Sequence, residues 1–233
     1  MTFLNTMTAA LKPSFVMPDA LAKVYQWMDD NNCVYSGSSG TPFGLLAPLD
    51  LMDTIEPLFD EDMDEEIAQK RSGGTSTTFD PSLNEDLHHW FGLKENDPAV
   101  QRVSVFANTG ADGSMAALWL DDNDLQHIVH LGSGSGSVLT CVLASNPIDF
   151  LRLNAIGYDE LCWDGHYDKP PNEGWEDSGV FVEPYRPFQD WVVNEFGVTI
   201  PKTASEIVKV TASMDDDAPT GDPFCDWVVA LAQ

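Results

Sequence analysis

The stretch IVHLGSGSGSVLTCVL (residues 128–143) sets three glycines at alternate positions between two runs of branched apolar side chains. Two readings compete for it: a loop that cradles a nucleotide or S-adenosylmethionine, or a bend between two β-strands. A nucleotide-binding turn needs a helix directly behind it, because the free N–H groups of the helix N-terminus bind the anion. Here Ser137, Val138, Leu139, Thr140, Cys141, Val142 and Leu143 follow, which is strand chemistry, and the next helix signal comes only at Asn146. No lysine follows the glycines as a P-loop requires, and Gly134 stands where a nucleophile elbow carries serine. The residues favour a bend, in which glycine permits positive φ.

Strand chemistry surrounds the bend. QRVSVFA alternates, SMAALWL is nearly all apolar, and LQHIVHL and SVLTCVL are short and rich in branched side chains. Their separators, NTGADG, DDND and GSGSG, are too short for crossover helices, so the four runs predict an antiparallel meander. Helices follow. Asn146 is placed to cap, Pro147 to open and Gly157 to close NPIDFLRLNAIG. PFQDWVVNEFG carries a Phe188, Trp191 and Val192 stripe, and TASEIVKV opens on a Thr203/Glu206 capping box. DPFCDWVVAL puts Phe224, Trp227, Val228 and Leu231 on one side. Upstream, Leu21, Val24, Tyr25 and Met28 mark a helix over residues 19–30, and SLNEDLHHWFG suggests another, capped by Ser82 with Glu85 and stopped by Gly92. Strands grouped together and then helices make an α+β pattern. Residues 1–100 read as helices and loops packed on a core formed by 101–233, the whole a single domain.

The chain has 233 residues, 43% hydrophobic and 10% aromatic, the composition of a globular protein with a substantial interior. No apolar run approaches the roughly 20 residues that cross a bilayer, and the first residues lack the basic-then-apolar order of an export signal. A cytoplasmic location is the expectation. Cys33, Cys141, Cys162 and Cys225 are scattered without a CxxC, which predicts reduced, buried thiols. Eleven basic residues against 38 acidic ones leave a net charge of −27. Such a field repels nucleic acid and anionic membranes and speeds encounter with basic proteins.

Catalytic and metal-binding patterns are weak. His127 and His130 are three apart and face opposite sides of a regular strand, and there is no HExxH. The acidic runs DDND and DDDAPTGD lack the glycine and the final glutamate of a calcium loop, and are expected to cap helices or hold solvent. No Ser/His/Asp or Cys/His set stands out, so no catalytic residue, cofactor or metal is assigned. Trp27, Trp90, Trp191 and Trp227 fall on apolar helical faces and read as core. Trp163 and Trp175 lie in an irregular Pro/Gly-rich segment and are the better candidates for an exposed anchor.

The segment from RVSVFANTGADG through LWL and IVHLGSGSG to DFLRLNAIG resembles the SMI1/KNR4-like (SUKH) superfamily. Its motif positions fall on Gly110, Asp112, Gly113, Trp119, Gly132, Ser133, Asp149, Phe150, Leu151, Leu153 and Gly157. The resemblance covers about residues 102–163 well, and the C-terminal FQDWVV and DPFCDWV fairly. It implies a twisted, mostly antiparallel sheet flanked by helices. It also implies a non-enzymatic bacterial immunity protein that neutralises a secreted toxin, often a nuclease, by occluding it. A scaffold or regulatory protein with an endogenous partner is the alternative, and an enzyme using the glycine loop a remote one. An acidic binder would be steered to the basic cleft of a nuclease. The residues proposed for that contact are Asp60, Glu61, Asp62, Asp64, Glu65 and Glu66; Asp121, Asp122 and Asp124; Trp163 and Trp175; and Asp215, Asp216 and Asp217.

Overall fold

The computed structural model of the chain describes residues 1–52, 55–60, 65–173 and 180–231. In chain order, helices α1 (Phe3–Ala10) and α2 (Asp19–Asp30) precede strands β1 (Val34–Ser36) and β2 (Pro42–Gly44). A short helix α3 (Leu49–Met52), strands β3 (Ile55–Asp60), β4 (Glu65–Ser72) and β5 (Thr78–Phe79), and helix α4 (Leu87–Phe91) follow. The meander is β6 (Val103–Asn108), β7 (Met115–Leu120), β8 (Gln126–Leu131) and β9 (Thr140–Ala144). Helix α5 (Pro147–Ile156), strand β10 (Val180–Glu183) and helices α6 (Arg186–Phe196) and α7 (Pro223–Leu231) complete the chain.

The fold is α+β, as expected. Seven strands in the order β1-β2-β5-β6-β7-β8-β9 form one antiparallel sheet. Both faces of its centre are covered. Phe106, Leu118, Ile128 and Leu143 pack with Leu21, Tyr25 and Met28 of α2, Phe150 of α5 and Phe188 of α6. Val103, Val105, Ala117, Trp119, Val129 and Leu131 pack on the other side with Leu87 of α4 and Phe224 of α7. Double coverage is why SMAALWL reads as an unbroken apolar run rather than an alternation. Phe79, Phe106 and Phe150 meet at the centre, with Phe106 and Phe150 edge-to-face at 5.4 Å, a geometry that adds about 0.5–1.5 kcal/mol beyond burial.

Local signals held where no distant group competes. Asn146 accepts from the Asp149 N–H at 2.9 Å, Pro147 opens α5, and Gly157 ends it in the left-handed region at φ 102°. Helix α2 spans the expected residues, and its four marker side chains are buried. His127 and His130 point to opposite faces: His127 lies tilted against Trp119, while His130 is enclosed on the other side. Cys33, Cys141, Cys162 and Cys225 are all buried free thiols.

Three expectations are corrected. Ser82 does not cap a helix: its hydroxyl and its N–H both donate to Asp80, and the helix starts only at Leu87. Asn84 explains the delay. β6 has a bulge between Val105 and Ala107, and Asn84 takes the Val105 N–H at 2.8 Å and donates to the Val105 carbonyl at 3.0 Å. A side chain serving a distant strand cannot also sit inside a helix. The Thr203/Glu206 capping box forms, but it opens a single 3-10 turn, Ala204–Glu206. The Tyr158 hydroxyl and the Tyr167 carbonyl take the Ala204 and Ser205 N–H groups, setting that turn against the loop after α5.

The third correction concerns the first hundred residues, which contribute strands as well as helices. β1, β2 and β5 extend the meander, and β3 and β4 form a hairpin. β10 pairs with β4 in parallel, making a second sheet in the order β10-β4-β3. In that sheet Asp60 ends β3 opposite Glu65, and Glu66 lies opposite Phe59. Glu61, Asp62 and Asp64 lie outside the described residues, as does Trp175.

Candidate functional site

The glycine loop does hold an anion, and the anion belongs to the chain. Asp112, in the turn between β6 and β7, reaches across to the loop between β8 and β9. Its Oδ2 accepts from the Ser133 hydroxyl at 2.7 Å, the Ser137 N–H at 2.8 Å and the Ser114 hydroxyl at 2.9 Å. Its Oδ1 accepts from the Ser114 N–H at 2.9 Å. Partial burial opposes the charge, but the bonds from Ser114, Ser133 and Ser137 outweigh it and bring the pKa down to about 2. Two further donors of the loop are committed within it: the Gly134 N–H to the Ser137 carbonyl, and the Gly136 N–H to the Ser133 hydroxyl. A Cβ on Gly136 would stand 2.7 Å from the Asp112 Cβ, so the residue there must be glycine for the two loops to close. β9 follows at Thr140 with no helix between. The stretch is a bend, stapled by Asp112.

Behind the staple sits His130, fully enclosed. Leu139 offers a carbonyl, so Nδ1 carries the proton and donates to it at 2.8 Å, leaving Nε2 to accept from the Thr109 hydroxyl at 2.9 Å. Burial pushes its pKa down to about 4, against the raising effect of the Leu139 bond and the fields of Asp112 and Asp164. The imidazole is a neutral structural link between the two loops.

Two further segments join this end of the sheet. The Leu161 N–H donates to the Thr109 carbonyl, and Glu160 accepts from the Ala111 N–H at 2.7 Å through Oε1. The other oxygen of Glu160 accepts from the indole N–H of Trp163 at 2.6 Å. Trp163 is 42% exposed and is the sole aromatic among the large apolar side chains exposed in the described residues. On the neighbouring side, Ser213 bridges to Leu139, and the Met214 N–H donates to the Val138 carbonyl. Exposed Asp215, Asp216 and Asp217 follow, with Asp216 accepting from the Ser213 N–H. The loops carrying Trp163 and Asp215–Asp217 are thus both anchored at this end of the sheet, the glycine-loop platform.

Asp121, Asp122 and Asp124 do not belong to it. They form the turn from β7 into β8, separated from the glycine loop by the length of β8, six residues or about 20 Å. Asp121 caps that turn and not a helix, accepting from the Asn123 and Leu125 N–H groups and from His127. Those bonds, the Leu125 one foremost, hold its pKa near 2. Asp124 pairs with Arg102 at 3.3 Å, while the Arg102 guanidinium also donates to the Leu120 and Asp121 carbonyls. Asp60, Glu65 and Glu66 are on the second sheet. Its strand β4 is tied to the loop after α5 by an ion pair between Arg71 and Asp159.

The exposure of Trp163 is legible in its irregular sequence setting, and the role of Glu160, which orients it, is not. Asp112 reads in the sequence as part of a turn motif, and only the fold brings its carboxylate to the glycine loop. Burial raises the thiol pKa of Cys33 and Cys225 to about 11 and drives Cys141 and Cys162 upward as well, the reverse of what a nucleophile needs. Among the described residues no three His, Cys, Asp or Glu side chains are grouped to hold a metal ion, and no helix is long and apolar enough to cross a membrane. No family model, curated protein or solved structure matches the chain.

Proposed function

We propose that this chain is a non-catalytic binding module that covers a basic protein partner with the platform at the glycine-loop end of its sheet. The observation that carries the reading is the closure of the loop on itself and on Asp112, which together take the Ser133 hydroxyl and the Gly134, Gly136 and Ser137 N–H groups. A loop closed in this way serves as a rigid support, and the segments anchored around it carry an exposed tryptophan and exposed carboxylates. A net charge of −27 supplies the long-range attraction to a basic surface. The SMI1/KNR4-like order of motifs supports a narrower form of the proposal: a bacterial immunity protein that occludes a secreted toxin, with a nuclease as the natural cationic target.

The test is co-expression with the product of the open reading frame beside its gene. Under this proposal that product stops growth alone, growth returns with the wild-type chain, and the two purify as a stoichiometric complex. The platform variant Trp163→Ala with Asp215→Asn, Asp216→Asn and Asp217→Asn should fold normally and fail to protect. A harmless neighbour, together with an endogenous partner captured at the same surface, would replace immunity with a scaffold or regulatory role. Capture of a partner through the β7–β8 turn instead would move the binding surface to the other end of the molecule.

A further inference from the structure

We infer that Trp163 is a preset stacking surface for an arginine side chain of the basic partner, with Glu160 as the residue that positions it. The inference rests on the protein-binding reading above and adds the chemistry of the contact. An exposed tryptophan on a loop would ordinarily sample several rotamers and lose that freedom on binding. Here the ring is held before any partner arrives: the Ala111 N–H fixes Oε1 of Glu160, and Oε2 of Glu160 fixes the indole N–H. Ala111 in turn belongs to the turn stapled by Asp112. The indole N–H is therefore committed within the chain, and a side chain 42% exposed remains for contact.

The electrostatic setting selects the occupant. Asp164 and Asp168 are exposed on the same segment, with Lys169 and His166 as the basic groups between and beside them. Among the described residues no Lys or Arg lies within ion-pair distance of Glu160, Asp164 or Asp168, whereas Asp124, Asp149, Asp159, Glu183 and Glu195 each have such a partner. Arg71, whose field reaches Glu160, is committed to Asp159. A fixed indole on a segment whose carboxylates lack an ion-pair partner among the described residues suits a cation. A guanidinium suits it better than an ammonium, because it is planar, stacks on aromatic faces and donates in a fork to neighbouring carboxylates. Trp163 and its surroundings thus fit an arginine-bearing segment and not an apolar one.

The probes are nona-arginine and nona-lysine peptides of equal charge, titrated calorimetrically against the full chain at low salt. The expected result is binding of both, with a preference for nona-arginine. Trp163→Ala should weaken nona-arginine about two- to fivefold, the range of an exposed cation–π contact, and change nona-lysine less. Glu160→Ala should lower the preference by freeing the ring, and Glu160→Gln, which has one acceptor oxygen for the Ala111 and indole N–H groups together, should lower it part of the way. A preference that survives Trp163→Ala, or equal affinities for the two peptides in the wild type, overturns the stacking contact while leaving the binding module intact. Failure of both peptides to bind at low salt overturns the contact and the binding-module reading together. Circular dichroism and melting temperature of each variant check that the fold is kept.

Discussion

The Asp112 carboxylate and the Ser137 N–H, 25 positions apart in the chain, meet at 2.8 Å and close the two loops at one end of the sheet into a single unit. Replacing Asp112 by Asn should cost about 2 kcal/mol, because an amide offers its N–H group where a second acceptor is required. The cost should be local. Hydrogen exchange at Ser137 and Gly136 should accelerate while amides in β7 stay protected.

The same carboxylate makes the fold acid-sensitive. Its folded pKa, about 2, lies below the ordinary 3.8, so its contribution is complete above about pH 4 and is lost as the pH falls toward 2. Melting temperature against pH should drop more steeply in this window for the wild type than for Asp112→Asn. Parallel curves would show that the staple carries no charge-dependent stability.

His130 gives a second, higher window. Its folded pKa is depressed to about 4 from 6.5, so the unfolded chain binds the extra proton first as the pH falls. Its stabilising contribution is intact above about pH 6.5 and declines toward pH 4, by at most about 3 kcal/mol. His130→Gln keeps a donor for the Leu139 carbonyl and an acceptor for the Thr109 hydroxyl without titrating. Urea denaturation at pH 7 and pH 4.5 should show a smaller difference for that variant than for the wild type.

Gly134 and Gly136 should fail for different reasons. At Gly136→Ala the new methyl meets Asp112 with no positive φ involved, so the cost is steric, about 1–3 kcal/mol. Gly134 has φ 76°, and a Cβ there would meet only Met214 Sδ at an ordinary 3.7 Å, so Gly134→Ala should cost about 1–2 kcal/mol through backbone strain. Combining Gly136→Ala with Asp112→Gly should relieve the first substitution relative to the sum of the single costs, and a double-mutant cycle measures that coupling.

Asp222 pins the sheet edge to the last helix. Its carboxylate is buried and accepts from the Val142 N–H of β9 and from the Phe224 and Cys225 N–H groups that open α7. Asp222→Ala strips a cap and leaves a strand donor unpaired, for an expected loss of about 2–3 kcal/mol by denaturant unfolding.

Association with the partner should be salt-dependent in its on-rate more than its off-rate, because the attraction is long-ranged and exposed. Neutralising Asp215, Asp216 and Asp217 should flatten that dependence. Neutralising Asp121 should lower stability, since its bonds hold the β7–β8 turn, and leave the on-rate nearly unchanged. Stopped-flow association across ionic strengths separates the two.

What the sequence by itself determined is the part of the molecule whose signals lie within about ten residues of their effect. The four meander strands are joined by loops too short to allow another pairing. Helix α5 carries its cap, opening proline and closing glycine in its own span, and the bend at residues 132–136 follows from the strand behind it. Only the tertiary structure decided the rest, because the decisive partners are remote. β1, β2 and β5 are two or three residues long and carry no period, and exist because β6 offers an edge. β10 pairs with β4 across more than a hundred residues, and Asn84 leaves a helical pattern to serve a bulge in β6. At the proposed site the exposed tryptophan was legible from its irregular setting, but its orientation was not. That orientation comes from Glu160 and from an Asp112 staple that exists only once the loops have met, since a hydrogen bond between distant loops leaves no spacing in the chain to read.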